Sequence, residues 1–426
     1  MPDVAARPFR GAGLWRYSLV VMTGAPRICC LDLDTFFVSV ERLLEPRLEG
    51  KPVIVGGRPG SRGVVTACSY EVRALGVRSG MSLTDAAKLA PNAIYLPTRS
   101  GTYGEYSRQV REVAARYTPV IQTASIDEYF MDFAGCERLY HRPDDASDDA
   151  TILRVVREIT ASIKQELGLP ASAGIACSRS MAKVASGLAK PAGVMLVAAG
   201  TETEVLAPLP VRKLPGIGPV AEQRLAKLGI ETLGDVASRS LPELRRIFGS
   251  WAEQIQKGSR GIGASDLSRD RPAFHEYDLA GDMVGSISNE RTFREDVKDN
   301  ATIDIQLCAL AERVCWRARK RGVKARTVTL KMRYADFKTL TRSRTVAPTC
   351  SETEVYAIVK ELFQRARTRR LPIRLLGIAL SKLGFYDAQH SLFDDDGRRN
   401  EAVDTIREKY GYDAVGLAAG RRRGRR

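Results

Sequence analysis

The stretch Ile28-Cys29-Cys30-Leu31-Asp32-Leu33-Asp34 constrains this chain more than any other. Four apolar residues in a row read as a buried strand. Acidic residues at the end of such a strand are costly unless something neutralises them. A divalent cation is the natural neutraliser, because hard cations such as Mg2+ take carboxylate oxygens. A second acidic stretch, Ser125-Ile126-Asp127-Glu128-Tyr129-Phe130-Met131-Asp132, lies far downstream in equally apolar sequence. Two carboxylate-bearing strands side by side would make a site for two metal ions. Neighbouring residues on a strand point to opposite faces, so Asp127 and Glu128 converge only if the chain turns there, and a hairpin or bulge is expected. Asp34 faces the same side as Asp32 and is expected to support it.

The 426 residues can hold several domains, each with its own core. The formal net charge of +16 points to a polyanionic partner, nucleic acid before an anionic membrane. No apolar run is long enough to span a bilayer. The eight cysteines form no CxxC pair and there are three histidines, which argues against a structural zinc site and for reduced thiols in a cytoplasmic protein.

Residues 1–26 are rich in Pro, Gly and Arg and read as a disordered extension, with Met22 an alternative start. Helical spacing follows at 35–44, short strands at 52–56 and 63–68, and a helix at 82–89. This small, glycine-rich region resembles a lid. Further helices are expected at 101–117 and 150–167, strands at 121–133 and 171–176, and a helix at 181–189. The aspartates of 144–149 read as a solvated loop capping a helix. Leu214-Pro215-Gly216-Ile217-Gly218-Pro219 opens a helix–hairpin–helix pattern, in which Gly216 and Gly218 bring backbone N–H groups to a helix start where a DNA phosphate can sit. After a linker at 269–284, the order strand 285–294, helix 300–321, strands 323–335 and 338–347, helix 352–369, strand 373–385 describes a β-α-β-β-α-β domain. Arg326, Lys331 and Arg333 on one strand and Arg342 and Arg344 on the next are expected to form a two-stranded basic face for DNA phosphates. The tail carries Gln389-His390-Ser391-Leu392-Phe393, a segment able to dock into a partner pocket, then a helix at 401–410 and an arginine-rich end.

Asp32-Leu33-Asp34-Thr35-Phe36-Phe37, Ala67-Cys68-Ser69-Tyr70-Glu71-Val72-Arg73, Ser125-Ile126-Asp127-Glu128, Leu188-Ala189-Lys190-Pro191-Ala192-Gly193 and Leu214 to Gly218, in that order, resemble the Y-family DNA polymerases of the bacterial DinB type over residues 27–393. The resemblance implies an α+β multidomain, right-handed architecture. Its parts would be a palm (27–35 and 100–197), small fingers (36–99), a helix–hairpin–helix thumb (198–268) and a β-α-β-β-α-β little finger (285–385). It also implies that Asp32, Asp127 and Glu128, with the Leu33 carbonyl, hold two Mg2+ ions. Phe36, Tyr70, Arg73 and Lys190 would bind a dNTP, and Phe37 would be the steric gate against ribose. Gly63 and Val64 would lie over the nascent base pair. Gln389, Leu392 and Phe393 would bind a bacterial sliding clamp. Tyr129, where a small residue is commoner, the leader and the arginine end depart from the family pattern.

The expected activity is low-fidelity translesion synthesis on primer–template DNA by a monomer without proofreading. A catalytically inactive DNA- and clamp-binding scaffold, a UmuC-type bypass subunit and a non-catalytic helix–hairpin–helix repair module are the alternatives.

Overall fold

The computed structural model describes residues 26–267, 285–385 and 395–418. The expected leader up to residue 25, the linker, the Gln389–Phe393 segment and the arginine end lie outside the described residues. Among the described residues the strands are β1 (Ile28–Leu33), β2 (Val53–Val55), β3 (Ala67–Cys68), β4 (Ile94–Leu96), β5 (Ile121–Thr123), β6 (Glu128–Asp132), β7 (Ala171–Ala176), β8 (Val194–Leu196), β9 (Ser286–Val297), β10 (Lys324–Tyr334), β11 (Thr339–Thr349) and β12 (Ile373–Gly384). They make three sheets.

The first sheet, ordered β5-β6-β1-β7-β8, has β1 at its centre, antiparallel to both β6 and β7. β1 is apolar except at Asp32 near its end, as suits a strand with both faces covered. Cys29, Leu31 and Leu33 share a core with Ile152, Val156 and Ile159 of the helix Asp148–Leu167. Ile28 and Cys30 share another with Met181 and Ala182 of the helix Arg179–Ala189. Gly174 lets this second helix lie directly on the sheet, since a Cβ there would come within 2.1 Å of Ser186 N and 2.2 Å of the Ala182 oxygen. Ser147 and Ser178 start the two helices by accepting from the amides of Ala150 and Met181, satisfying N–H groups that have no partner within the helix.

Two expectations need correcting here. The 144–149 loop is largely exposed and leads into a helix as expected, but Asp145 within it is not solvated. It accepts from Arg154 (2.8 and 3.0 Å), from Thr151 Oγ1 and from the Arg142 amide, and so ties the loop to its helix. The expected strand at 63–68 shrinks to β3. Its partner β2 ends at Val55, and the amides of Gly56 and Gly57 both turn to the Leu96 oxygen (2.9 and 3.0 Å), which leaves most of 63–66 without a ladder. The sheet β3-β2-β4 is accordingly small.

Short helices at Glu202–Leu206, Pro219–Ala226, Leu233–Ser238, Leu241–Phe248 and Ala252–Ser259 pack Leu206, Leu225, Val236, Leu244 and Ile255 into the same core as the helix Arg179–Ala189. The third sheet, β11-β10-β12-β9, carries the helices Asn300–Arg319 and Glu352–Ala366 on one face. Its element order is the expected β-α-β-β-α-β. The tail helix runs from Asp395 to Tyr410, longer than expected, and is anchored on this domain by ion pairs. Among the described residues no helix is long and apolar enough to cross a membrane.

Candidate active site at the ends of β1 and β6

The register of the first sheet builds the acidic corner. Asp32 lies directly opposite Glu128 in the β1–β6 ladder. Opposed residues of an antiparallel pair share a face, with Cα atoms about 4.5–5.5 Å apart. The amides of Ala124 and Ser125 both donate to the Glu128 oxygen (2.9 and 3.1 Å), so the chain reverses over 124–127 between β5 and β6. Asp127 therefore sits on the expected turn and not in the ladder, and its oxygen accepts from the Leu33 amide at 2.9 Å. A straight strand would have sent Asp127 and Glu128 to opposite faces.

Lysines hold two of these carboxylates. Lys190, just past the end of the helix Arg179–Ala189, places Nζ 2.5 Å from Asp32 Oδ1. Lys183 on the same helix pairs with Glu128 Oε2, while Cys30 Sγ lies 3.7 Å from Glu128 Oε1. Ser125 Oγ donates to Asp127 Oδ1. Burial holds Asp32 above the usual carboxylate range; Lys190 opposes the shift and Asp127 adds to it. Burial works against the charge of both lysines, yet Glu128 at Lys183 and Asp32 at Lys190 outweigh it and raise both.

Asp34 ties the corner together. It is 1 % exposed, and its Oδ2 accepts from Ser172 Oγ and from the Ala192 amide, both at 2.7 Å. Oδ1 accepts from the Tyr70 hydroxyl at 3.3 Å and lies 3.5 Å from Lys190. Thr35 and Ala192 flank it with φ of 45° and 51°. This left-handed backbone costs a non-glycine residue roughly 1–2 kcal/mol, so the corner stores strain at two points.

The expected nucleotide ligands gather beside it. Tyr70 is pushed up to about 12 by burial and by Asp34, so its hydroxyl stays a donor. Arg73 stacks 5.3 Å over the Tyr70 ring and donates to the Cys68 oxygen at 3.2 Å. Phe36 is buried, whereas Phe37 is half-buried and stacks on Tyr103 with centroids 4.1 Å apart and planes 11° apart. Tyr103 is fully buried and donates to Glu41 Oε1 at 2.6 Å. Tyr103, Glu41, Ser172 and Lys183 were not legible as site residues. A phenol, a serine and a lysine on ordinary elements carry no motif, and only Gly174, by admitting the helix so closely, hints that its lysines reach the strand ends.

The backbone brings Asp32, Asp127 and Glu128 to one corner, while their side chains turn to separate partners. Among the described residues no three acidic, histidine or cysteine side chains are gathered closely enough to hold an ion as they stand. Lys183 and Lys190 draw Glu128 and Asp32 to themselves. The donor set nonetheless suits a hard divalent cation: three carboxylates and the strand-end carbonyl of Leu33, all oxygen, with Asp32 and Glu128 on opposed positions and Asp127 on the adjoining turn.

The expected basic face is corrected. Lys331 pairs with Thr341 and Arg333 with Thr339, but Arg342 stands opposite Leu330 and Arg344 opposite Val328. Leu330 and Val328 are core residues under the helices, so Arg342 and Arg344 belong to the helix-covered side. Arg344 pairs with Glu361 of a covering helix at 2.7 Å. Lys331 and Arg333 face the open side, where Glu290 already holds Lys331 at 2.8 Å, and Arg326 sits at a bulge between Ala325 and Thr327. Gly216 takes φ 98°, and Gly218 precedes the helix Pro219–Ala226 without a side-chain cap.

Three stretches of the chain match family descriptions. Residues 31–187 match the impB/mucB/samB family, residues 200–230 the IMS family HHH motif, and residues 284–392 the impB/mucB/samB family C-terminal domain. The DNA polymerase IV of Desulfatibacillum aliphaticivorans is 38% identical over 398 residues, covering 91% of this chain and 95% of that one. The DNA polymerase IV of Caulobacter vibrioides is 35% identical over 400 residues, covering 92% and 93%. Among solved structures, a Y-family DNA polymerase chimera superposes with a TM-score of 0.72 at 24% identity, covering 84% of this chain and 100% of its own. An insertion ternary complex of Dbh DNA polymerase gives 0.58 over 83% and 98%. With its acidic strand ends, its helix–hairpin–helix segment and its C-terminal sheet domain all matched in order, the chain belongs to the impB/mucB/samB family of Y-family DNA polymerases, in its DNA polymerase IV branch.

Proposed function

We propose that the chain extends a DNA primer on a template by nucleotidyl transfer, with low fidelity, as a translesion polymerase. The observation that carries this reading is the juxtaposition of Asp32 with Glu128 across the β1–β6 ladder and of Asp127 on the adjoining turn. The palm is 27–35 with 100–197, the fingers 36–99, the thumb 198–268 and the little finger 285–385. Two Mg2+ ions held by Asp32, Asp127, Glu128 and the Leu33 carbonyl would supply the positive charge that stabilises the attacking 3′-hydroxyl and the departing pyrophosphate.

The chain's own residues do the rest. Lys190, Arg73 and Tyr70 turn to the triphosphate, the guanidinium as a fork and the ammonium as a point charge. Lys190 exchanges Asp32 for a phosphate in doing so. Lys183 neutralises Glu128. Phe37, backed by Tyr103, closes the space beneath C2′ of the sugar, so a ribose hydroxyl finds no room. The fingers, with two- and three-residue strands and Val64 half exposed, press weakly on the new base pair, which favours tolerance of damaged templates over shape selection. Docking of Gln389–Phe393 on a sliding clamp belongs to the same proposal.

Primer extension with Mg2+ on undamaged and adducted templates, wild type beside Asp127→Ala, tests it. Extension past the adduct by wild type alone is expected. No extension by wild type on either template would overturn it.

A further inference from the structure

The tip of the β10–β11 hairpin carries an aromatic residue where the backbone asks for glycine. Phe337 has φ 65° and is 62% exposed. The turn is closed by the Phe337 amide to the Tyr334 oxygen and the Tyr334 amide to the Lys338 oxygen, both at 3.0 Å. In such a three-residue hairpin loop the left-handed position is ordinarily glycine or asparagine. A large ring there is strained by its backbone and gains little from burial. A strained, exposed side chain at a fixed position directs attention to function.

The surroundings say what the ring could take. Arg374 stacks over it, with its guanidinium carbon 4.5 Å from the centroid. Arg333 reaches the base of the hairpin and donates to Thr339 Oγ1 at 2.8 Å, and Lys338 is exposed beside the ring. The neighbouring loop adds Arg369, paired with Asp336 at 2.7 Å, and the exposed Arg370. The Ala335 amide binds the Pro372 oxygen, so loop and hairpin form one surface. Aromatic faces interleaved with cations match an unstacked nucleobase and its flanking phosphates.

Register places this tip. Tyr334 pairs with Ile373, and Ile373 with Val297, so all three mark one end of the sheet. At that end Asp296 meets Arg62, which lies between β2 and β3 in the small domain inserted after β1. The hairpin therefore lies on the end of the sheet that faces the fingers, where template not yet copied would enter.

We propose that Phe337 is a stacking platform for an unpaired base of the template strand, with Arg333, Lys338 and Arg374 beside its phosphates. This rests on the polymerase reading. The test is fluorescence anisotropy with the full chain and labelled primer–template DNA, blunt or with a 5′ single-stranded template overhang. Wild type is expected to bind the overhang substrate more tightly. Phe337→Gly should remove about tenfold of that advantage, leave blunt binding unchanged, and keep or raise the melting temperature by relieving the backbone. Phe337→Trp should retain the preference. Unchanged overhang binding by Phe337→Gly, an equal loss on both substrates, or a lowered melting temperature would each overturn the platform. Failure of wild type to bind either substrate would instead strike the polymerase reading.

Discussion

Two clusters of buried charge in this molecule look alike and behave differently. In the C-terminal domain Arg407, 1% exposed, bridges Glu352 at 2.6 Å and Glu312 at 3.0 Å. Arg319 binds Glu352 at 2.7 Å and Asp404 at 2.6 Å, and the Leu417 amide caps Glu312 at 2.7 Å. The bridged glutamates are sealed from water, and each finds more than one partner. At the ends of β1 and β6, by contrast, Lys183 is 39% exposed and Asp32 19%. Asp32, Asp34, Asp127 and Glu128 there face two lysines, Lys183 and Lys190. The sealed cluster can only hold. The open one, which water reaches, is the one proposed to trade its lysines for other cations. Buried charge alone does not mark a site; water-accessible paired charge is the better pointer.

Substitutions sharpen this contrast. Asp127→Ala should abolish extension almost wholly, by roughly a thousandfold or more, since several kcal/mol of charge stabilisation at the transition state is lost; melting should change little. Single-turnover primer extension checks the first and calorimetry the second. Arg407→Ala should do the reverse. Stranding Glu312 and Glu352 in the interior costs about 3–5 kcal/mol, visible as an early unfolding step, while extension at low temperature persists. If Arg407→Ala melts like wild type, the two clusters do not differ as described.

Phe37→Ala should raise ribonucleotide use relative to dNTP by about 10- to 200-fold, the range a single pocket contact can discriminate. Unchanged selectivity in competition assays would remove the gate from Phe37 and its Tyr103 backing. The smallest effect is expected from Lys183→Met. The pair is partly exposed, so its loss should lower the melting temperature without divalent ions by no more than a few degrees. Added Mg2+ should restore more stability to the variant than to wild type. An identical Mg2+ response in both would mean that Lys183 packs against Glu128 without standing in for an ion.

Much of the catalytic half was readable in the chain itself. β7 spans 171–176 as expected, and the turn before Glu128 followed from strand parity once the family resemblance required Asp127 and Glu128 to converge. The corrections came from pairing, which one strand's own period cannot supply. Arg342 and Arg344 alternate properly along β11, yet which face they share with β10 depends on register, and the register sets them opposite Leu330 and Val328. Lys183 reads as a solvated helix position until Gly174 brings its helix onto the sheet. The helix Asp395–Tyr410 lacks an apolar stripe, so periodicity offered no docking face; it is anchored by Asp404 and Arg407, whose partners are more than fifty residues away.

The central claim is that Asp32 and Glu128 exchange their lysines for divalent ions, which Asp127 helps to hold, when substrates arrive. Mn2+ binding, followed by electron paramagnetic resonance on the chain with a dideoxy-terminated primer–template and the matching dNTP, tests this without turnover. The account predicts about two tightly bound ions per chain, with at least one lost in Asp127→Asn. Equal Mn2+ occupancy in wild type and Asp127→Asn would contradict it.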